Sequence, residues 1–182
     1  PAGQSYIKRV DITVLPGGSF MVSATNQPPP RADYLILTNH GTVVLEGTSF
    51  STWIYDPPAL ARVINEDTGR IEIRNGMELS AAIVNRGTVV TTAGSNTATI
   101  AGAVQNSGLF ELLSGVVYAG SGFHQTGGTT RIEGGTITTT LDVGIGFRVA
   151  PLTILGGSVT GSGTLSGSAN FPVTNAGTIN LG

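Results

Sequence analysis

Short runs of alternating apolar and polar residues recur along this chain, and each is opened by a glycine. Two positions after the glycine stand Phe20, Val43, Ile71, Val89, Phe110, Val159 and Ile179, with Thr130 the exception. Four positions after it stand Val22, Leu45, Ile73, Leu112, Ile132 and Leu181, with Thr91 and Gly161 as exceptions. The residues between them, among them Met21, Glu72, Glu111, Arg131 and Asn180, are of every kind. An apolar residue at every second position is the period of a strand with one face inward. The opening glycines are Gly18, Gly41, Gly69, Gly87, Gly108, Gly128, Gly157 and Gly177, 18 to 29 residues apart. A second glycine follows the run at Gly47, Gly76, Gly94, Gly115, Gly134 and Gly163. Glycine reaches positive φ and so turns a corner after a strand. A strand between two glycine corners, repeated at such a period, is one side of a coil in a solenoid.

Two residues before the opening glycine stand Asn39, Asp67, Asn85, Asn106, Thr126 and Asn175, with Pro16 and Leu155 as exceptions. Asparagine tolerates the left-handed region, its amide bonds nearby backbone, and stacked asparagines form ladders. This structural reading of Asn39, Asn85, Asn106 and Asn175 outweighs a ligand-binding one. The predicted fold is all-β: one β-solenoid domain over residues 1–182, a single-stranded parallel β-helix of about eight coils. The coils are expected ~4.8 Å apart, with the opening glycines stacked at one corner and the second glycines at the next. Residues 1–15 end in the alternation Tyr6–Val14 and read as an entry strand or cap. Residues 26–33, with Pro28-Pro29-Pro30, and 48–62, with Phe50, Trp53, Tyr55 and Pro57-Pro58, read as loop insertions, since proline cannot serve a central strand. Residues 136–157 read as an enlarged coil.

Composition agrees. Of 182 residues 27 are glycine, and charged residues make up only 11%. Mean hydropathy is +0.21, outside the range of disordered chains. Gly, Thr, Val and Asn dominate where a helix would need Ala, Leu, Glu and Lys, so almost no helix is expected. Basic residues are scattered except for Lys8-Arg9, which argues against a nucleic-acid partner. No run is long and apolar enough for a membrane span. There is no cysteine, so disulfides and thiolate metal sites are excluded. Pro1 is not a translation start, so a processed chain or a piece of a longer one is expected.

Candidate chemistry is sparse. His40 and His124 fall in different coils with no companion ligand, and no cofactor or metal is expected. Glu66, Asp67, Arg70, Glu72 and Arg74 form the one dense charged cluster, and Glu111 and Arg131 take the slot of Glu72 in later coils. A polysaccharide-active enzyme would gather acids on one face in this way. A solvated face with weak ion pairs is the simpler reading, and no enzyme is expected. Thr136, Thr138 and Thr140 alternate as an ice-binding array would, but Arg70 and Leu109 interrupt the threonines that follow the glycines. Trp53 and Tyr55 are the candidate binding patch for a glycan or a protein, against the plainer reading of an insertion folded over the solenoid.

Stretches such as Ile83-Val84-Asn85-Arg86-Gly87-Thr88-Val89 and Val173 to Gly182 resemble the repeats of large bacterial surface solenoids, the autotransporter passengers and filamentous-haemagglutinin-type adhesins. The resemblance spans most of residues 35–182. It implies a right-handed parallel β-helix, an extracellular or cell-surface location, and a role in adhesion or as a stalk. It brings no catalytic residue.

A solenoid has two ends of unpaired strand backbone, and such edges template further pairing. The candidate assembly interface is Tyr6, Ile7, Val10, Ile12 and Val14 at one end and Thr178, Ile179, Asn180 and Leu181 at the other. Copies joined in this way make a filament, because a head-to-tail contact does not close. The expected function is therefore a structural extracellular protein, a filament subunit whose partners are other copies of itself. The alternative is a fragment of an adhesin stalk that binds a cell-surface glycan or a protein.

Overall fold

In the computed structural model, residues 10–24, 35–47, 61–142, 147–168, 170–171 and 173–182 are described, and statements of structure refer to them. They form β-strands and turns, with no helix among them. The chain winds as a β-solenoid of about seven turns, with eight successive rungs along each of its two long sheets.

Each coil lays one strand in each of two long parallel sheets. The first coil supplies β1 (Val10–Val14) and β2 (Ser19–Ala24), the second β3 (Leu35–Asn39) and β4 (Thr42–Gly47). The third has β5 (Ala61–Asn65), β6 (Arg70–Arg74) and the short β7 (Glu78–Leu79). Then come β8 (Ala82–Asn85) with β9 (Thr88–Ile100), and β10 (Val104–Asn106) with β11 (Leu109–Ala119). The next coil has β12 (Phe123–Gln125), β13 (Thr129–Ile132) and β14 (Thr136–Thr138). A hairpin of β15 (Thr140–Asp142) and β16 (Phe147–Val149) precedes β17 (Leu152–Ile154), β18 (Ser158–Gly161) and β19 (Thr164–Ser166). Last are β20 (Thr174–Asn175) and β21 (Thr178–Leu181). The first sheet runs β1-β3-β5-β8-β10-β12-β17-β20 and the second β2-β4-β6-β9-β11-β13-β18-β21. A third face is built by β7, β14, β19 and the far halves of β9 and β11.

The strand period sets what lies inside. Val43, Ile71, Val89, Phe110 and Val159 share one inward column, and Leu45, Ile73, Leu112 and Ile132 share the next, all fully buried. Each such side chain contributes about 1.5–3 kcal/mol when removed from water. Thr91 and Thr130, the apparent breaks in the alternation, also point inward and are buried. Phe110 and Phe123 meet edge to face at 5.4 Å in this core. The sheets hold parallel register from coil to coil, so the core is one continuous column.

The opening glycines do stack. The residue after each glycine donates its N–H to the carbonyl of the glycine one coil earlier, from Thr42 on Gly18 through to Thr178 on Gly157. The reason is different from positive φ, which among these eight only Gly128 and Gly157 adopt. A β-carbon on Gly108 would collide with the carbonyl oxygen of Gly87, so close approach of neighbouring coils demands glycine. Positive φ does govern the second corner at Gly47, Gly76, Gly94 and Gly115. The later member of that corner is Gly135, which carries positive φ, rather than Gly134.

The expected insertions at 26–33 and 48–62 lie outside the described residues, except that residues 61 and 62 belong to β5. The enlarged coil at 136–157 contains the antiparallel pair β15–β16, an excursion from an otherwise parallel winding. Of the entry segment, Val10–Val14 form β1, the first strand of the first sheet, and residues 1–9 lie outside the described residues.

Candidate assembly interface

The asparagine positions make a ladder just inside the first corner. Asn39 Nδ2 donates to Asn65 Oδ1, Asn65 Nδ2 to Asn85 Oδ1, and Asn85 Nδ2 to Asn106 Oδ1, each at 2.8 Å and each fully buried. The same Nδ2 groups also donate forward to the carbonyls of Arg70, Thr88 and Leu109, which follow the next coil's glycine. Asn106 passes the ladder to Thr130 Oγ1, whose hydroxyl donates to Gln125. Gln125, not Thr126, fills the slot there, and Asn65, not Asp67, fills it before Gly69. Ile154 breaks the ladder and Asn175 resumes it. Asn175 Oδ1 accepts from Gly177 N at 3.0 Å, as Asn39 Oδ1 accepts from Gly41 N at 3.1 Å.

The charged cluster lies on the outer face of the second sheet. Arg70 Nε donates to Glu72 at 2.8 Å, and Arg74 bonds the other carboxylate oxygen. Hydrogen bonds from Arg70 and then Arg74 hold the Glu72 carboxyl below the usual carboxylate range. Arg74 also reaches Glu46 at 3.7 Å, and Arg131 bridges Glu111 and Glu133. At the corner, Arg86 Nη1 contacts both oxygens of Glu66 at 2.9 Å. Glu72 and Glu111 sit two rungs apart in one column with buried Val90 between them, each against its own arginine. The pairs Arg74–Glu46, Arg86–Glu66 and Arg131–Glu111 tie coil to coil, whereas Arg70, Glu72 and Arg74 pair along one strand. A general acid would need the opposite environment, one that raises its pKa. His124 Nδ1 lies 2.8 Å from Thr153 Oγ1, and no group of three or more metal-ligating side chains occurs among the described residues.

The first and last described rungs differ from the middle ones. In the second sheet the terminal strand β21 pairs with β18, and its inward Ile179 is 38% exposed, whereas Val89 in the same column is fully buried. Val173 and Phe171 are likewise exposed. At the other end β1 pairs with β3 and β2 with β4, and Val10, Ile12, Phe20 and Val22 are partly buried while Val14 is buried. Outside the first corner, Leu15, His40, Glu66, Arg86, Ser107, Thr126, Leu155 and Ala176 form one column; from His40 on, each N–H donates to the carbonyl of the inward slot residue one coil earlier, Val14 through Ile154. Its middle is polar; Leu15, 66% exposed, stands at one end, and Leu155, 56% exposed, stands one rung before Ala176 at the other. From Val149 to Gly182 the chain carries no charged residue.

Of the residues expected at the interface, Val10, Ile12 and Val14 lie on β1 and Thr178, Ile179, Asn180 and Leu181 on β21, at opposite ends of the sheet orders. Tyr6 and Ile7, and the patch Trp53 and Tyr55, lie outside the described residues. Leu15, Phe20, Val22 and Asn175 were not among the residues expected at the interface, although the alternation alone places Phe20 and Val22 on the inner face of the first coil. Among the described residues, no helix is long and apolar enough to cross a membrane. No protein-family model, curated protein or solved structure matches the chain.

Proposed function

We propose that the chain is a structural protein of the cell exterior, a solenoid unit prolonged by copies of itself stacked end to end. The observation that supports this best is Ile179: a core position of the regular column, held in register by β21, with its apolar side chain open at the solenoid end. Parallel strand edges of this kind accept another strand unless charge, proline or a cover blocks them. The uncharged stretch after Arg148 offers no repulsive block. The likeness of the repeats to bacterial surface solenoids supports the exterior location. The ion pairs support a scaffold role in place of catalysis, because Arg74–Glu46 and Arg131–Glu111 bridge coils and Arg70 and Arg74 hold Glu72 ionised.

Sedimentation velocity over a wide concentration range tests this reading. The expected result is mass that grows with concentration into a broad series of oligomers. A single monomeric boundary at every concentration overturns it. In that case a glycan-binding signal abolished by Trp53→Ala would favour the adhesin-stalk reading.

A further inference from the structure

Resting on that end-to-end reading, the geometry points to a second copy of this chain seated in one register, with Gly18 of the incoming copy directly on Gly177. Three independent features fix that alignment.

The first is the glycine corner. On Gly41, Gly69, Gly87, Gly108, Gly128 and Gly157 a β-carbon would collide with the coil before. The residue that settles on Gly177 must therefore lack a β-carbon. In the first coil Gly18 meets this need, and a slip of two residues would bring Pro16 or Phe20 to the corner instead. A slip of one residue turns every inward side chain outward.

The second is the match of apolar ends. With Gly18 on Gly177, Ile179 meets Phe20 and Leu181 meets Val22, the two open ends of the same inward columns. Outside the corner, Leu15 settles on Ala176, one rung beyond Leu155. The two exposed leucines then stand two rungs apart, about 9.6 Å, with Ala176 between them as one apolar stretch of an otherwise polar column.

The third is the amide of Asn175. In the asparagine ladder each Nδ2 donates to the carbonyl of the residue after the next coil's glycine. For Asn175 that residue is Ser19 of the incoming copy. Val14 occupies the slot opposite Asn175 and supplies no side-chain acceptor, so the Ser19 carbonyl is the acceptor the junction provides.

Paired cysteines read this register directly, since the chain has no cysteine of its own. Ser19 and Thr178 are exposed and face outward. In the stated alignment they are neighbours across a parallel pair, at roughly 4.8 Å, within the span of a disulfide. Asn180 lies diagonal to Ser19, at about 7–8 Å, beyond that span. On mild oxidation of assembled protein, the S19C/T178C variant is expected to give a ladder of multimers that collapses on reduction. The S19C/N180C variant is expected to remain monomeric on the same gel. Filaments in which S19C/N180C links as well as or better than S19C/T178C, or in which neither links, overturn the register while leaving end-to-end stacking intact. Failure of the protein without cysteines to assemble at all overturns both.

Discussion

Asn85 donates from Nδ2 to Asn106 Oδ1 at 2.8 Å and accepts from Asn65 Nδ2 at 2.8 Å on its other side, with all three side chains fully buried. A buried amide is tolerated only when its donors and acceptors are matched. Here the coil before and the coil after supply the match. Replacing Asn85 by Leu leaves Asn65 Nδ2 short of one acceptor and Asn106 Oδ1 short of a donor. Each unsatisfied group costs about 1–3 kcal/mol. Asn85→Leu is therefore expected to lower the urea midpoint substantially with little change in slope, and an unchanged midpoint would show that the ladder is dispensable.

The two kinds of glycine separate in substitution. Gly94 has φ +63° with no atom within 4 Å of an added β-carbon. Alanine there faces only left-handed backbone strain, about 1–2 kcal/mol. Gly108 is free of that strain but stands against the carbonyls of Gly87 and Arg86. Gly108→Ala is expected to be much the more damaging change in thermal melts, because neighbouring coils have to part. Equal effects at the two sites would refute the close-approach account.

Core polarity is tested at Val89, fully buried in the inward column of the second sheet. Val89→Asp places a carboxylate where no partner is at hand, a cost of several kcal/mol. The expected outcome is loss of the β-sheet circular dichroism signal or recovery in the insoluble fraction only. A soluble, cooperatively melting Val89→Asp would contradict the assignment of this column to the core.

Acid should weaken the outer face. A carboxyl whose native pKa lies below its unfolded one stabilises the fold above the unfolded pKa, and the contribution disappears as pH falls through the native one. Glu72 is such a group, because of Arg70 and Arg74. Its partly exposed setting keeps the effect small. Glu72→Gln is expected to cost little at neutral pH and to flatten the loss of stability across the carboxylate range and below. A variant whose acid limb follows that of the parent would remove Glu72 from the account.

Much of the winding was legible in the spacing of glycines and in the alternation after them. The inward columns through Val43, Ile71 and Val89 follow from period two alone. The asparagine slot was harder to place, because turn length varies: Asn65 stands four residues before Gly69 and Gln125 three before Gly128, so counting back two residues lands on Asp67 and Thr126. The third face was hidden for another reason. Gly94 and Gly115 look like strand ends, yet the backbone bends there at positive φ and carries β9 and β11 on into the third face. At the candidate interface, β21 and β1 could be named from the alternation. Leu15 and Leu155 could not, since their meaning rests on a corner column that only the register reveals.

The central claim is that one β-helix continues through many copies. Cryo-electron microscopy of concentrated protein measures this most directly, through the width and axial repeat of whatever forms. The account expects unbranched filaments one solenoid wide, with a rise of about 4.8 Å between strands and about 38 Å per copy for eight rungs. Dispersed single particles at high concentration, or fibres whose strands are paired side to side between columns, would contradict it.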